Sequence, residues 1–495
     1  MMQGRLGLVL RQMRTRWIWI LLAVIMMLPK ATFAERQGSI DVPESIPEMP
    51  RIDLQPNLIS PVPLNGAWAM PDHRPLGVHL DNYDLTVAQI DAARDTGCGL
   101  ARLAIPMEHF LEDTEPDWAV LDQVVSKLTR AGFEVLPVLT AKAAVPEFYV
   151  PFCEAVATRY GQTFEYYQLL DNINYKIGLG TQDYTDLVAK SRAAIVLADR
   201  DAVIVSGGVR GADLTYLDML DSQGAMRSLD VIALNLYPPK NAIETTAATG
   251  SGLDAHSLPY VASVVDWATS KGKKVWVTSL GVSTCYSWVG VDQGQQAAAY
   301  TRSALYLGWL GVERIIFAEI QDSDPSFTRP SECCGLLDVT GTPKASYYAL
   351  RALNSVISGA YHIEPDFIYQ GSTFQRPDAA DLLLAAELLD VPGADAMSEF
   401  QVHWLSVFAF WFYAPETEQY MMIYWLGDDP AYPTLISLQL SHIGLTPSER
   451  FMLLDNASSP IDYSYAKNML YIPYIPASTI PGVVRFEVNN HGRSG

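Results

Sequence analysis

Six stretches of this chain place ionisable and hydrogen-bonding side chains at the ends of short apolar runs. His79, Asp81 and Asn82 close the run LGVHL. Arg102 lies in LARLAI, with Glu108 beyond it. Asp171-Asn172-Ile173-Asn174-Tyr175 follows EYYQLL. Asn235 and Tyr237 lie in DVIALNLY, and Ser279 lies in KVWVTSL. RIIFAEI ends in Glu319 and Ile320, followed by Gln321, Asp322 and Asp324. Carboxylates so placed serve as acids, bases or nucleophiles. Amides and hydroxyls ringed by Tyr and Trp suit a polyhydroxylated ligand, which needs many hydrogen-bond partners and flat apolar faces to stack on. The chain has no C-x-x-C and no H-E-x-x-H, so metal or redox chemistry has no motif to support it and no cofactor is expected. Ser279-x-Gly281 lacks the G-x-S-x-G elbow of a serine hydrolase.

The elements that would position these residues follow from periodicity. From residue 76, eight β-rich runs alternate with helical patterns such as VAQIDAARDTG, WAVLDQVVSKLTRAG and QAAAYTRSALYLGWLG. The remaining two strand candidates are FEVLPVL and AVIVSG. Strands alternating with helices imply βαβ units and a parallel sheet. Eight units over residues 76–358 match a (β/α)8 TIM barrel, whose active residues come from the C-terminal ends of the strands. A doubly wound sheet is the alternative, disfavoured by even spacing and by the absence of a Gly-rich loop after the first strand. From 361 to 495 the helical period gives way to runs such as LLLAAELL, VHWLSVFAFWFYA, YMMIYWLG, TLISLQL, FMLLD and VVRFEV. These are separated by Pro, Gly, Asp and Asn clusters, an all-β pattern expected to form a sandwich. The fold class expected is therefore α/β, a barrel followed by a C-terminal β-sandwich.

Three of the runs carry a specific likeness. The barrel resembles the clan A glycoside hydrolases, most of all families 39 and 5. In that clan the fourth strand ends in W-N-E-P-N, whose Glu is the general acid/base. This chain has YYQLLDNINY at 166–175, which sets Asp171 at the Asn, Asn172 at the Glu, Ile173 at the Pro and Asn174 at the last Asn. The seventh strand of the family is similar to V-W-V-T-E-F-G, whose Glu is the nucleophile. Here it is VWVTSLG, with Ser279 at that Glu. DVIALNLYPP resembles the sixth-strand motif, with Asn235 where a His is common. GLLDVTGTPKASYYALRAL resembles the lead-in to the last helix, and the trailing β domain is shared with family 39. The resemblance spans about residues 76–490 and is sharp at strands four, six and seven and at the last helix.

The resemblance implies a sugar-shaped groove and also a departure. Retaining glycosidases use two carboxyl groups about 5 Å apart. Asn172 cannot ionise, and Ser279 without a base is a poor nucleophile, so neither catalytic position is intact. The expected ligand-binding set is His79, Asp81, Asn82, Arg102, Asn172, Asn174, Asn235, Tyr237, Ser279 and Asp322. Displaced acids are the second possibility. Asp171 would need a bulge to face the groove, since successive strand residues point to opposite sides. Glu319 is a second displaced candidate, with an ion pair to an Arg such as Arg102 as its structural alternative. His79, a lone histidine, is expected to be a hydrogen-bonded structural residue.

Three functions remain open: a degenerate barrel that binds or organises an oligo- or polysaccharide; an active glycosidase using Asp171, Glu319, Asp322 or Asp81; and an assembly subunit with a plugged barrel. The net charge of −21 argues against nucleic acid as a partner. A cell-surface or envelope protein is a possible partner. Residues 1–34 have the pattern of an export signal: four arginines, the apolar run WIWILLAVIMML and a Thr-Phe-Ala end. The run is too short to span a bilayer, although an uncleaved anchor is the alternative. The expected location is secreted, periplasmic or cell-surface. Residues 35–75, with eight prolines, are expected to form a linker or strap. Five cysteines leave at least one thiol free. Cys285 is expected to bridge Cys333 or Cys334, with Cys98 and Cys153 as buried thiols. Asn456-Ala457-Ser458 matches a glycosylation sequon.

Overall fold

A computed structural model describes residues 75–81, 83–108, 118–175, 179–238, 243, 256–286, 290–363, 407–426, 434–441, 445–454, 458–461, 463–466 and 469–488. The export signal, the Pro-rich segment up to residue 74, Asn82, the run LLLAAELL and Asn456 lie outside these residues.

Eight parallel strands close into a barrel. They are β1 (Leu76–His79), β2 (Leu100–Pro106), β3 (Glu134–Thr140), β4 (Tyr166–Leu169), β5 (Val203–Val205), β6 (Val231–Leu236), β7 (Lys274–Leu280) and β8 (Arg314–Phe317). Each pairs with the next, and β8 returns to β1 with Gly77 opposite Ile316. The seam between β5 and β6 is a single pairing, Val205 with Val231, supplemented by the two-residue strand Val209–Arg210 on β6. Eight helices follow the strands: α1 (Val87–Asp95), α2 (Ala119–Arg130), α3 (Pro146–Tyr160), α4 (Thr181–Ala198), α5 (Leu214–Ser222), α6 (Leu258–Ser270), α7 (Gln293–Leu310) and α8 (Ala345–Ile357). Two of them start at capping boxes, Thr86 with Gln89 and Asp292 with Gln295.

The period of two within each strand decides what fills the barrel. Leu100, Leu136, Val138, Tyr166, Val205, Val231, Ala233, Trp276 and Ile316 form the interior cluster. Their neighbours Ala101, Val135, Leu139, Tyr167, Ile204, Ile232, Val275 and Ile315 belong to the larger core shared with the helices. One step toward the strand N-termini, the inward series ends in a cation. Arg314 pairs with Glu134 at 2.5 Å and lies 5.0 Å over the Tyr166 ring and 4.9 Å over the Trp276 ring. The base of the barrel is thus closed by a cation–π stack.

The C-terminal strands form two antiparallel sheets. One holds β9 (Tyr361–Ile363), β10 (Val407–Ala414), β11 (Gln419–Leu426), β16 (Gly482–Val488) and β13 (Leu445–Met452), in that order. The other holds β12 (Thr434–Ser441), β15 (Met469–Ala477) and β14 (Ser464–Ala466). Alternation again sorts the side chains. Trp411, Tyr420, Met422, Tyr424, Val484 and Phe486 join Leu470, Ile472 and Ile475 of β15 in the core of a β-sandwich. Phe410, Phe412, Met421, Ile423, Trp425 and Val483 face the other way and merge with the barrel core. The contact is aromatic: on α7, Tyr306 meets Phe408 and Phe410, and Trp309 meets Phe410 at 5.6 Å. Trp425 stacks on Phe408 and Phe410 at 5.5 and 5.1 Å and is fully buried. Trp425→Ala should therefore cost about 3–5 kcal/mol, read as a lower midpoint in urea unfolding.

Candidate functional site at the barrel mouth

One inward position beyond the apolar filling, the same period of two turns polar. His79 follows Gly77, Arg102 follows Leu100, Gln168 follows Tyr166, Asn235 follows Ala233, and Thr278 follows Trp276. All five are buried. These are strand C-terminal ends, so the polar layer lies at the mouth.

Arg102 is the centre of this layer. It is 3% exposed. Nη1 donates to Asp81 Oδ2 and Nη2 to Asp171 Oδ2, each at 2.9 Å. Burial works to raise the Asp81 carboxyl, but the Arg102 charge and His79 outweigh it and hold it at about 2. Asp81 Oδ1 also accepts from the Ala104 amide at 2.7 Å. His79 Nε2 donates to the Thr278 carbonyl at 2.9 Å, tying β1 to β7, while Nδ1 lies 3.5 Å from Arg102 Nη1. Glu319 therefore does not take the guanidinium, as the sequence had suggested. Asp81 and Asp171 reach it first and occupy both of its ends.

Asp171 faces the mouth because the backbone after β4 leaves the strand conformation. Leu170 and Asn172 have φ of 69° and 53°. Asn tolerates this left-handed region, whereas Leu seldom adopts it. The kink brings both Asp171 and Asn172 to the same polar layer. Asn235 Nδ2 donates to Asp171 Oδ1 at 2.8 Å and lies 3.3 Å from Asn172 Oδ1. Asn172 Nδ2 donates to Asp171 Oδ2 at 3.2 Å. Gly208 makes this possible, since a Cβ there would meet Asn235 Nδ2 at 2.4 Å and Asp171 Oδ1 at 2.5 Å. Asn174 turns to the loop instead: its amide accepts from Arg210 N and donates to Arg210 O and Asp213 Oδ2.

A bulge in β7 sets the far side of the mouth. Leu234 pairs with Val277 but Asn235 pairs with Ser279, so Thr278 is extra. Thr278 Oγ1 donates to Asn235 Oδ1 at 3.2 Å, and Ser279 Oγ sits 3.0 Å from the Tyr237 hydroxyl. Burial pushes the Tyr237 phenol up to about 12, although the Ser279 hydrogen bond opposes this, so it remains a protonated donor at neutral pH. Gly281 leaves room for its ring, which a Cβ would meet at 2.5 Å. The Tyr237 amide donates to His256 Nδ1 at 3.1 Å. Sequence inspection missed His256, which lies far from any strand end and comes to the site only through the loop after β6.

The loop after β8 completes the wall. The Ala318–Glu319 peptide is cis. Burial pushes the Glu319 carboxyl up to about 8, and Asp322, Asp81 and Glu332 add to this while Lys344 opposes it. Asp322 is engaged in a buried pair: Lys344 Nζ donates to its Oδ1 at 2.8 Å and to Thr284 Oγ1 at 2.9 Å. Cys285, Cys333 and Cys334 are buried thiols, so the expected bridge is not formed; Cys334 Sγ instead donates to the Pro330 carbonyl at 3.2 Å. Cys98 and Cys153 are also buried thiols. Cys153 is in α3, whereas Cys98 lies in the turn before β2 rather than in a helix.

Two outcomes follow. Arg102→Met leaves Asp81 and Asp171 facing each other uncompensated and should cost about 3 kcal/mol in urea unfolding, with Arg102→Met/Asp171→Asn recovering part of the loss. Glu319 binds a proton in the folded chain at pH values where the unfolded chain has lost it. Its contribution to stability therefore falls as pH rises from about 4.5 to about 8. Glu319→Gln should show a flatter thermal midpoint across that window than the parent; an equally steep profile would place the proton elsewhere.

No family model matches the sequence, and no curated protein matches it. Solved structures do match in fold. A family 39 glycoside hydrolase from the gut symbiont Bacteroides cellulosilyticus WH2 superposes with a TM-score of 0.64 at 14% identity, over 84% of this chain and 81% of that one. A family 51 α-L-arabinofuranosidase from Bifidobacterium longum gives 0.54 at 12% identity, over 86% and 97%. A GH30 endoxylanase from Clostridium papyrosolvens C71 gives 0.53 at 11% identity, over 84% and 96%. The chain thus has the barrel-and-sandwich fold of the clan A glycoside hydrolases.

Proposed function

We propose that this chain is an exported, glycoside hydrolase-like protein whose barrel mouth binds or organises an oligo- or polysaccharide without cleaving it. The observation that carries this is the chemistry at the ends of β4 and β7. At the two positions that the sequence resemblance aligns with the clan's catalytic Glu residues stand an amide, Asn172, and a hydroxyl, Ser279, which is 3.0 Å from the Tyr237 hydroxyl. The adjacent carboxylate, Asp171, is spent on Arg102 and Asn235. Asn172, Asn235, Tyr237 and Ser279 supply neutral donors and acceptors at the mouth, which suit hydroxyl groups. Export rests on the N-terminal pattern, and a cell-surface or envelope partner would be consistent with it.

A second reading has its own support. Glu319, pushed up to about 8, and Asp81, held at about 2, are two carboxyl groups whose environments drive them apart, as an acid and its ionised counterpart require. In that case the chain is an active glycosidase with displaced carboxylates.

Reducing-end release from a panel of polysaccharides separates the two. The parent chain should give none, and Asn172→Glu/Ser279→Glu should give a measurable rate. That rate will be modest, because a Glu at the left-handed position 172 costs about 1–2 kcal/mol. Turnover by the parent that is lost in Glu319→Gln would overturn the binding proposal in favour of the second reading.

A further inference from the structure

Among the described residues of the barrel, the exposed aromatic rings lie mostly at one end. In a (β/α)8 barrel the loops after the strands and the helix N-termini form the mouth face. Phe148 and Tyr260 near the starts of α3 and α6, Tyr175 after β4, Tyr286 after β7 and Tyr348 near the start of α8 are all exposed there. Among the described barrel residues, the one exposed aromatic at the opposite end is Trp309, which packs on Phe410 of the sandwich.

One ring of this set, Tyr286, has a half-buried aromatic partner, Phe327. Tyr286 is 84% exposed and lies 5.6 Å from the Phe327 ring, tilted by 55°. Its amide donates to the Phe327 carbonyl at 2.7 Å, which joins the β7 loop to the β8 loop. Phe327 has φ of 54°, and the turn that imposes this is built around Asp324. That buried carboxylate accepts from the amides of Ser326, Thr328 and Arg329 at 2.9, 2.8 and 2.8 Å, and from the Ser326 hydroxyl at 2.5 Å. A loop with its hydrogen bonds gathered on one buried anion presents Phe327 already ordered, so a ligand packing there loses little further freedom.

We propose that Tyr286 and Phe327 form a stacking platform for a pyranose ring of an uncharged polysaccharide lying across the barrel mouth. This rests on the carbohydrate-binding function proposed above and adds the subsite and the class of glycan. The class follows from charge. The described charged residues at the mouth include Asp81, Asp171, Glu319, Asp322 and Glu332 against Arg102, Arg210, Lys344 and Arg329, on a chain with a net charge of −21. Arg102 and Lys344 are consumed by carboxylates, and Arg329 lies against Glu332 and Asp324. A uronate-rich chain would find these three cations committed and the fourth, Arg210, stacked on Tyr175 at 4.3 Å, whereas a neutral ring needs only an apolar face and hydroxyl partners.

The test is mobility of the full-length chain in native gels cast with a β-1,4-glucan, a β-1,4-xylan, a galactomannan or polygalacturonate. The parent should be retarded by at least one of the three neutral polymers and not by polygalacturonate. Tyr286→Ala and Phe327→Ala should each weaken that binding about tenfold. Tyr286→Phe should retain it, and Leu197→Ala, an exposed apolar truncation at the other end of the barrel, should leave it unchanged. Tyr286 is nearly bare, so its truncation leaves the fold intact, and an unaltered melting curve confirms this. Retardation of the parent with no change in Tyr286→Ala overturns the platform while sparing the carbohydrate reading. No retardation by any polymer overturns both, and preference for polygalacturonate overturns the uncharged class.

Discussion

A guanidinium buried at the end of β2 governs the mouth of this barrel. Arg102 sits on the inward face, two residues above Leu100, where water cannot solvate it. An isolated charge there would cost several kcal/mol, so carboxylates have to reach it. Asp81 comes from the end of β1 and Asp171 from the end of β4. Drawing Asp171 inward requires the left-handed residues on either side of it and a glycine at 208. Asn235 then has a fixed carboxylate to meet, and through Thr278 the network crosses to β7. The geometry of four strands thus answers to one cation, and the carboxylate drawn in from the end of β4 is committed to it.

The base of the barrel repeats the solution in another form. Arg314 is on the inward series of β8, as Arg102 is on that of β2. It has one carboxylate, Glu134, and two aromatic faces. Between the two arginines the interior is a continuous apolar fill from Leu100 to Trp276. The cation at the mouth is already neutralised by its two carboxylates.

Much of this was legible in the residues, for a physical reason: the two periods that sort side chains in strands and helices are local. All eight barrel strands lie in the apolar runs read from the sequence, and the inward polar residues fall two positions beyond the inward apolar ones. Departures from those periods were not legible. Nothing in Leu-Leu-Asp-Asn says that Leu170 and Asn172 leave the strand conformation, so Asp171 had looked aimed away from the groove. The extra residue in β7 is equally silent, because Thr278 continues the β-rich run. Of the longer sandwich strands, β15 and most of β13 fall outside the runs named from the sequence, and both contain proline. β13 carries Pro447 at a register shift on the sheet edge, where the missing donor is tolerated. β15 carries Pro473 and Pro476 next to an irregularity in its pairing with β12. The cysteines misled for another reason: three thiols that are close in space need not present their sulfurs to one another.

The five-stranded sheet is covered on both faces, by the three-stranded sheet on one side and by α7 on the other. Its strands look like a module appended after the barrel, yet half of their aromatic side chains belong to a core that begins in the barrel. Cutting the chain after α8 would expose Tyr306 and Trp309 of α7, and the severed sheet would present Phe410, Phe412, Ile423 and Trp425 to water. Each fragment would carry an open adhesive face that only the other can cover. The boundary visible along the chain is therefore not a boundary in assembly, and the sandwich is as much a wall of the barrel as the helices are.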